Sequence, residues 1–501
     1  MRFGLLVPQG LRQAWTSMIR PLRLDAPTTG SMRSRTLLST VGTGVQGGLR
    51  FVLSVVIGRI GGPVVLGVVN SAIAAAMFLS LLWPASSGSA ASKFVARARG
   101  AGRNEEAGII AAHLGRRTVV ASVLLAVLGA AGWATVGKGS LVDGLCVAAL
   151  VAGYSGYGFV RGVQFGSGQV ARATGWDVIS VSIGLAGVLV ALAAGVRGTA
   201  LVLPLAVGYG AYALAGWPPG LKARPERALR RELDVFVLLG VTTMMASGGF
   251  LQLSMVVART SDTAVQAGQY ASALSLATPA SLLAGSMSLV LFPAMAESWG
   301  RGDHERFMRQ TDHAMRLMVL TLVAVFGSLI LCSRLLVDVI FGAKYAEARQ
   351  LLPILLVAVL AISLAVAPVT AMTTRSQRGM AINSAGSIAG LIVGIVVWGV
   401  LVPSHGVFGV AIGYLCGALV MAAVPVAAVW LDGQHWLPMM LRTGAGLATV
   451  GFLLWMQRSL DLPLWSDPGF ALVYLCGWVL LSWRDARVLL PPLFSARPKS
   501  G

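Results

Sequence analysis

Arg50 stands near the centre of an apolar stretch, TGVQGGLRFVLSVVIG (residues 43–58), with Gln46 one helical turn before it on the same face. A guanidinium at the middle of a membrane span costs about 2.5–3.5 kcal/mol on insertion scales, so it either pairs with a buried acid or lines a water-filled cavity. None of the apolar stretches carries an Asp or Glu near its middle; Asp143, Asp177 and Asp234 all fall at their ends. The charge therefore points to a cavity whose ligand brings the negative charge. A guanidinium can fork onto two phosphate oxygens, which a lysine does less well. Arg50, supported by Gln46, is thus expected to hold an anionic headgroup. Gln252, with Ser254 near it, is a weaker polar counterpart further along the chain, and Gln252 would serve equally well in helix packing.

Other motifs resemble chemistry without supplying it. GTGVQG (Gly42, Gly44, Gly47) fits a dinucleotide fingerprint, but no strand precedes it. Gly44 and Gly48 read instead as a GxxxG step for close helix approach. GWATVGKG (Gly132–Gly139) nearly fits a P-loop, yet Gly139 replaces the Ser/Thr that would hold Mg²⁺. There is no HExxH and no Ser-His-Asp set, and His113 and His313 read as polar residues at span ends. Cys146, Cys332, Cys416 and Cys476 lie far apart in apolar runs, with neither metal nor disulfide spacing. Neither a cofactor nor a metal site is expected, and no catalytic centre.

These residues need elements to hold them, and composition says which kind. Of 501 residues, 56% are hydrophobic and only 12% charged, with a mean hydropathy of +0.77. Soluble domains carry about 25% charged residues. A soluble enzyme, a secreted disulfide domain and a disordered chain are all excluded, leaving an all-α polytopic membrane protein. The net charge of +20 does not signal nucleic acid, because it falls in short bursts between apolar runs.

About 20 apolar residues cross a bilayer. On that rule fourteen spans are expected, near 38–60, 64–88, 117–136, 141–163, 176–196, 199–217, 235–258, 268–293, 315–333, 350–372, 382–402, 407–430, 438–457 and 468–483. With alternating loops, 30 of the 39 basic residues fall on the side of the N-terminus and 8 on the other. That asymmetry places both termini in the cytoplasm and the protein in the cell membrane. Residues 1–37 read as a basic arm without a secretory signal, and 484–501 as a basic tail.

The chain also repeats. Shifted by 200 residues, Gly48, Ser54, Arg59, Gly102, Glu105, His113 and Arg116 fall on Gly248, Ser254, Arg259, Gly302, Glu305, His313 and Arg316. An even number of spans separates the copies, which makes the repeat parallel. Two six-helix lobes are expected, 38–217 and 235–430, joined by a cytoplasmic linker at 218–234 and followed by a helix pair at 431–483.

VVIGRIGGPVVLG (Val55–Gly67, with Arg59 and Gly61) resembles the arginine-then-glycine-proline turn of the polysaccharide-biosynthesis family of oligosaccharide flippases. AVQAGQYASALSLA (Ala264–Ala277, with Gly268 and Tyr270), VLFPAMAESWGRGDHERF (Val290–Phe307, with Pro293) and LVDVIFGAKYAEARQLLPIL (Leu336–Leu355, with Gly342 and Tyr345) resemble later segments of that Wzx-like family. The likeness covers about the first 430 residues. It implies the multidrug, oligosaccharidyl-lipid and polysaccharide exporter superfamily, two six-helix bundles around an alternately opening cavity, and a transporter rather than an enzyme. The implied substrate is a polyprenyl pyrophosphate carrying an oligosaccharide, with membrane lipids as surroundings and glycosyltransferases or a glycan polymerase as partners. One departure is that relatives often carry an acid in the outer part of span 7, where this chain has Gln252 and Ser254. A lipid II flippase remains open as a rival. A drug/cation antiporter would call for a carboxylate within the membrane, and a glycan polymerase for a large outer loop; the longest here, Arg334–Arg349, is short.

Overall fold

The computed structural model describes residues 32–281 apart from 138 and 220–222, residues 284 and 295, and residues 297–485 apart from 435, 461 and 484. The described residues contain helices and no strand, and ten helical stretches are long and apolar enough to cross a membrane. The protein is all-α and polytopic. The difference between ten stretches and fourteen expected spans has local causes.

Two stretches are hairpins. Helix α1, Met32–Leu81, has 50 residues. Run straight, it would be about 75 Å long, more than twice a hydrocarbon core of about 30 Å. It breaks at Gly62, whose φ of 79° is a conformation that suits glycine alone. The two arms lie side by side, since the Ser54 and Asn70 side chains approach to 3.4 Å. A second merged helix, Gln377–Leu431, turns at Gly406 (φ 51°), and Trp398 Nε1 donates to the Val410 carbonyl at 2.9 Å across that turn. Spans 7 and 8 are interrupted rather than merged. Span 7 comprises Arg227–Met244, a π turn at Met245–Gly249, and Phe250–Ser261. Span 8 begins with Ala264–Ala277, and most of 282–293 lies outside the described residues.

By contact the chain forms two compact units, 1–61 with 68–260, and 62–67 with 261–501. The first contains most of α1, then α2 (Pro84–Gly100), α3 (Asn104–Thr135), α4 (Leu141–Gly166), α5 (Val170–Ala193), α6 (Leu203–Gly216), α7 (Arg227–Met244) and α8 (Phe250–Ser261). The division at 260/261 differs from the expected one in the linker 218–234, because α7 packs on α2. Ser86 Oγ donates to the Val237 carbonyl at 2.7 Å, and the Phe94 and Phe236 rings meet edge-on at 5.5 Å. Arg97 forks onto Glu232 at 2.8 and 2.9 Å.

The second unit holds α9 (Ala264–Ala277), α10 (His304–Leu331), α11 (Ser333–Ile340), α12 (Ala348–Leu364), α13 (Val366–Arg375), α14 (Gln377–Leu431), α15 (Leu437–Ser459) and α16 (Asp467–Leu481). The last two helices dock on α10. At mid-helix, Tyr474 OH and Trp478 Nε1 each donate at 3.0 Å to the Val323 and Leu320 carbonyls. At one end Arg334 pairs with the buried Asp467, and at the other Arg316 and Arg442 share Asp485, each at 2.5 Å. One trace of the repeat is local: Gly102 and Gly302 both adopt positive φ, 76° and 73°, just before α3 and α10 start.

Candidate functional site

Arg50 lies on the first arm of α1, inside the first unit. Its Nη1 donates to Met77 Sδ at 3.1 Å on the returning arm, and Nη2 donates to Tyr209 OH at 3.3 Å on α6. The guanidinium carbon sits 5.4 Å from the centre of the Tyr154 ring of α4, within cation–π range. Nε is buried and has no hydrogen-bond partner among the described residues. These partners are all uncharged. Two small cavities adjoin the side chain, one lined by Leu53, Met77, Leu150 and Tyr154, the other by Leu49, Ser180, Val181 and Leu185. Each has room for about one water-sized group. A pyrophosphate is larger, so taking one up in this place requires the helices around Arg50 to part.

The expectation that Asp177 falls at a span end is corrected. Helix α5 starts at Val170 rather than near 176, so Asp177 lies two turns inside it and is fully buried. Its carboxylate accepts from Tyr157 OH at 2.9 Å, Arg161 Nε at 3.1 Å and Gln46 Nε2 at 3.3 Å. The early turns of α5 look polar in a hydropathy window because Arg172 and Asp177 stand there. Both find partners inside the protein, Arg172 Nη2 donating to the Ala215 carbonyl at 2.8 Å. Gln46, expected to support Arg50, is therefore engaged with Asp177, while its Oε1 has no hydrogen-bond partner among the described residues. Four tyrosines join the two groups. Tyr157 packs against Tyr209 at 5.0 Å, Tyr212 at 4.8 Å and Tyr154 at 5.7 Å between ring centres.

Sequence reasoning missed Asp177, Tyr154, Tyr157, Arg161 and Tyr209. A signal existed: YSGYGFVRG (Tyr154–Gly162) sets Tyr154, Tyr157 and Arg161 at spacings of three and four, along one helix face.

The other expected positions are not gathered at this place. Ser254 is fully buried on α8 and donates to the Leu251 carbonyl at 2.7 Å; Gln252 is half-buried there. Arg59 is exposed and Gly61 precedes the α1 break. Gly67 and Gly268 are packing residues of the second unit. A Cβ on Gly67 would strike the Ala264 carbonyl oxygen, and one on Gly268 the Pro63 carbonyl oxygen. Tyr270 and Tyr345 are fully buried, and Gly342 takes φ 97° in the loop before α12. Pro293 lies outside the described residues. The GxxxG expectation is corrected: a Cβ at Gly44 or Gly48 would meet nothing within 4 Å among the described residues, whereas one at Gly42 would meet Asp177 Oδ2 at 2.9 Å. The cysteines are free, and no metal-ligand cluster occurs among the described residues.

The sequence model of the lipid II flippase family MurJ matches residues 178–365. Among solved structures, a lipid II flippase MurJ in an inward closed conformation superposes with a TM-score of 0.66 at 12% identity, covering 91% of this chain and 99% of that one. An inward-facing multidrug resistance MATE family transporter of the MOP superfamily gives 0.60 at 15% identity, covering 82% and 96%. A eukaryotic MATE transporter gives 0.57 at 13%, covering 81% and 96%. No curated protein matches the sequence. The chain has the fold of these membrane transporters.

Proposed function

We propose that this protein is a membrane flippase that carries a lipid-linked glycan, a polyprenyl pyrophosphate bearing sugars, from the cytoplasmic to the outer leaflet by alternating access. The observation that carries the reading is Arg50: a cation within the membrane, held among the described residues by a thioether, a hydroxyl and an aromatic face. Such partners orient a guanidinium without neutralising it, and an anionic headgroup can displace them. The match of residues 178–365 to the lipid II flippase family favours a second reading, in which the glycan is that of lipid II. Both readings share the charged headgroup and the lipid tail. Neither calls for a catalytic centre, so the chain works as a transporter rather than an enzyme.

The test is Arg50→Ala in cells that depend on the protein and in liposomes that hold it. Transport per folded molecule should be abolished while insertion and folding persist, and Arg50→Lys should restore only part. If Arg50→Ala unfolds the protein, or if the folded variant transports at the normal rate, Arg50 is structural.

A further inference from the structure

Arg50 and Asp177 are an unpaired cation and a buried acid in the same helix cluster, yet they are kept apart. Gln46 sits one turn before Arg50 on α1 and donates to Asp177 at 3.3 Å. Tyr157 donates to the same carboxylate, and its ring packs, tilted, at 5.0 Å against Tyr209, whose hydroxyl accepts from Arg50. Ser180, one turn after Asp177 on α5, lines the small cavity that Arg50 also lines. Two tyrosines, Tyr157 and Tyr209, therefore link the acid to the guanidinium, and a cavity that Arg50 lines lies beside α5. In a weakly polar interior an acid and a base attract over longer distances than in water. Among the described residues, the side chains that Arg50 contacts are neutral and can be left. The other oxygen of the carboxylate, Oδ2, is engaged by Arg161 Nε at 3.1 Å.

We infer that Arg161 is a positioning residue that keeps Asp177 from neutralising Arg50, and so leaves the Arg50 charge available to an anionic headgroup. The inference rests on the proposed role of Arg50. The acid in turn accounts for the orientation of Gln46 and Tyr157. The two arginines therefore do different things, although both are partly buried cations of the same unit: Arg161 satisfies the protein's own acid, and Arg50 waits for an anion brought from outside.

The experiment measures binding of farnesyl pyrophosphate to the purified full-length protein in detergent at neutral pH. Thermal unfolding confirms that each variant is folded. Arg161→Gln should weaken binding at least about tenfold, the lower end of the coupling between close charge pairs. Asp177→Asn should bind as tightly as the unaltered protein or tighter. The double variant Arg161→Gln/Asp177→Asn should regain binding, which loss of packing at Arg161 would not allow. Should Arg161→Gln fail to fold, Tyr157→Phe removes one hydrogen bond from the acid more gently. It should weaken binding about two- to threefold, again with recovery when combined with Asp177→Asn. Either double variant binding as weakly as its parent overturns the inference, as does weak binding by Asp177→Asn alone. Undiminished binding by Arg50→Ala instead overturns the proposed role of Arg50, a separate outcome.

Discussion

Asp177 is the residue whose environment departs most from its surroundings in sequence. It is fully buried and accepts from three side chains, one of them an arginine whose side chain is 21% exposed. Breaking a buried ion pair from one side leaves the partner uncompensated, at a cost of about 3–5 kcal/mol. Asp177→Ala should therefore lower the unfolding temperature in detergent clearly. Asp177→Asn should cost less, because an amide oxygen at the Oδ1 position still accepts from Tyr157 and Gln46. Equal melting of the two variants would show that the hydrogen bonds to this group contribute little. Arg50 was legible in the sequence because a lone cation in an apolar run needs no partner to be noticed. Its tyrosines were not, because an aromatic residue in a membrane span is unremarkable until its hydroxyl is placed.

Among the helices, close approach is concentrated at glycines that the hydropathy pattern does not single out. Gly67→Ala or Gly268→Ala drives a methyl into backbone of the facing segment, which cannot move as a side-chain tip can. Each should destabilise the protein by roughly 1–3 kcal/mol, the range for overpacking, read as a lower unfolding temperature. Gly44→Ala faces open space and should be neutral or slightly stabilising, since alanine favours helix over glycine by about 0.5–1 kcal/mol. A large loss at Gly44 would mean that this face is covered in the membrane. The fourteen expected spans fall mostly on helix where they are described, because about 20 apolar residues in lipid have few alternatives. Their joints were less legible. The turns at Gly62 and Gly406 and the π turn at Met245–Gly249 depend on backbone geometry that hydropathy does not encode.

At the scale of the whole molecule, two expected outcomes concern direction. The proposed orientation puts the turns at Gly102 and Gly302 in the cytoplasm and the loop at Ala343 outside. In a cysteine-free background, Gly102→Cys and Gly302→Cys should resist an impermeant thiol reagent added to intact cells, and Ala343→Cys should react. Labelling at either glycine position reverses the orientation. A pyrophosphate moving outward carries negative charge in the direction that an inside-negative potential favours, gaining about 2.3 kcal/mol per charge per 100 mV. In liposomes, that potential should speed flipping without a Na⁺ or pH gradient, with ion flux measured alongside. Flipping that ignores the potential and requires an ion gradient would shift attention to the buried acid of α5.

What the sequence determined by itself is what the solvent dictates. Apolar run length makes helices, and an arginine among them marks a cost that some ligand or partner must offset. The tertiary structure decided which partner each polar group takes. Asp177 and Arg161 are 16 residues apart and Gln46 and Asp177 are 131 apart. No local pattern of hydropathy or charge couples positions at such separations; only the packing of α1, α4, α5 and α6 brings them within hydrogen-bonding distance. That packing gives Arg161 to the acid and leaves Arg50 with neutral neighbours, a division of roles that the two arginines' own sequence surroundings do not contain.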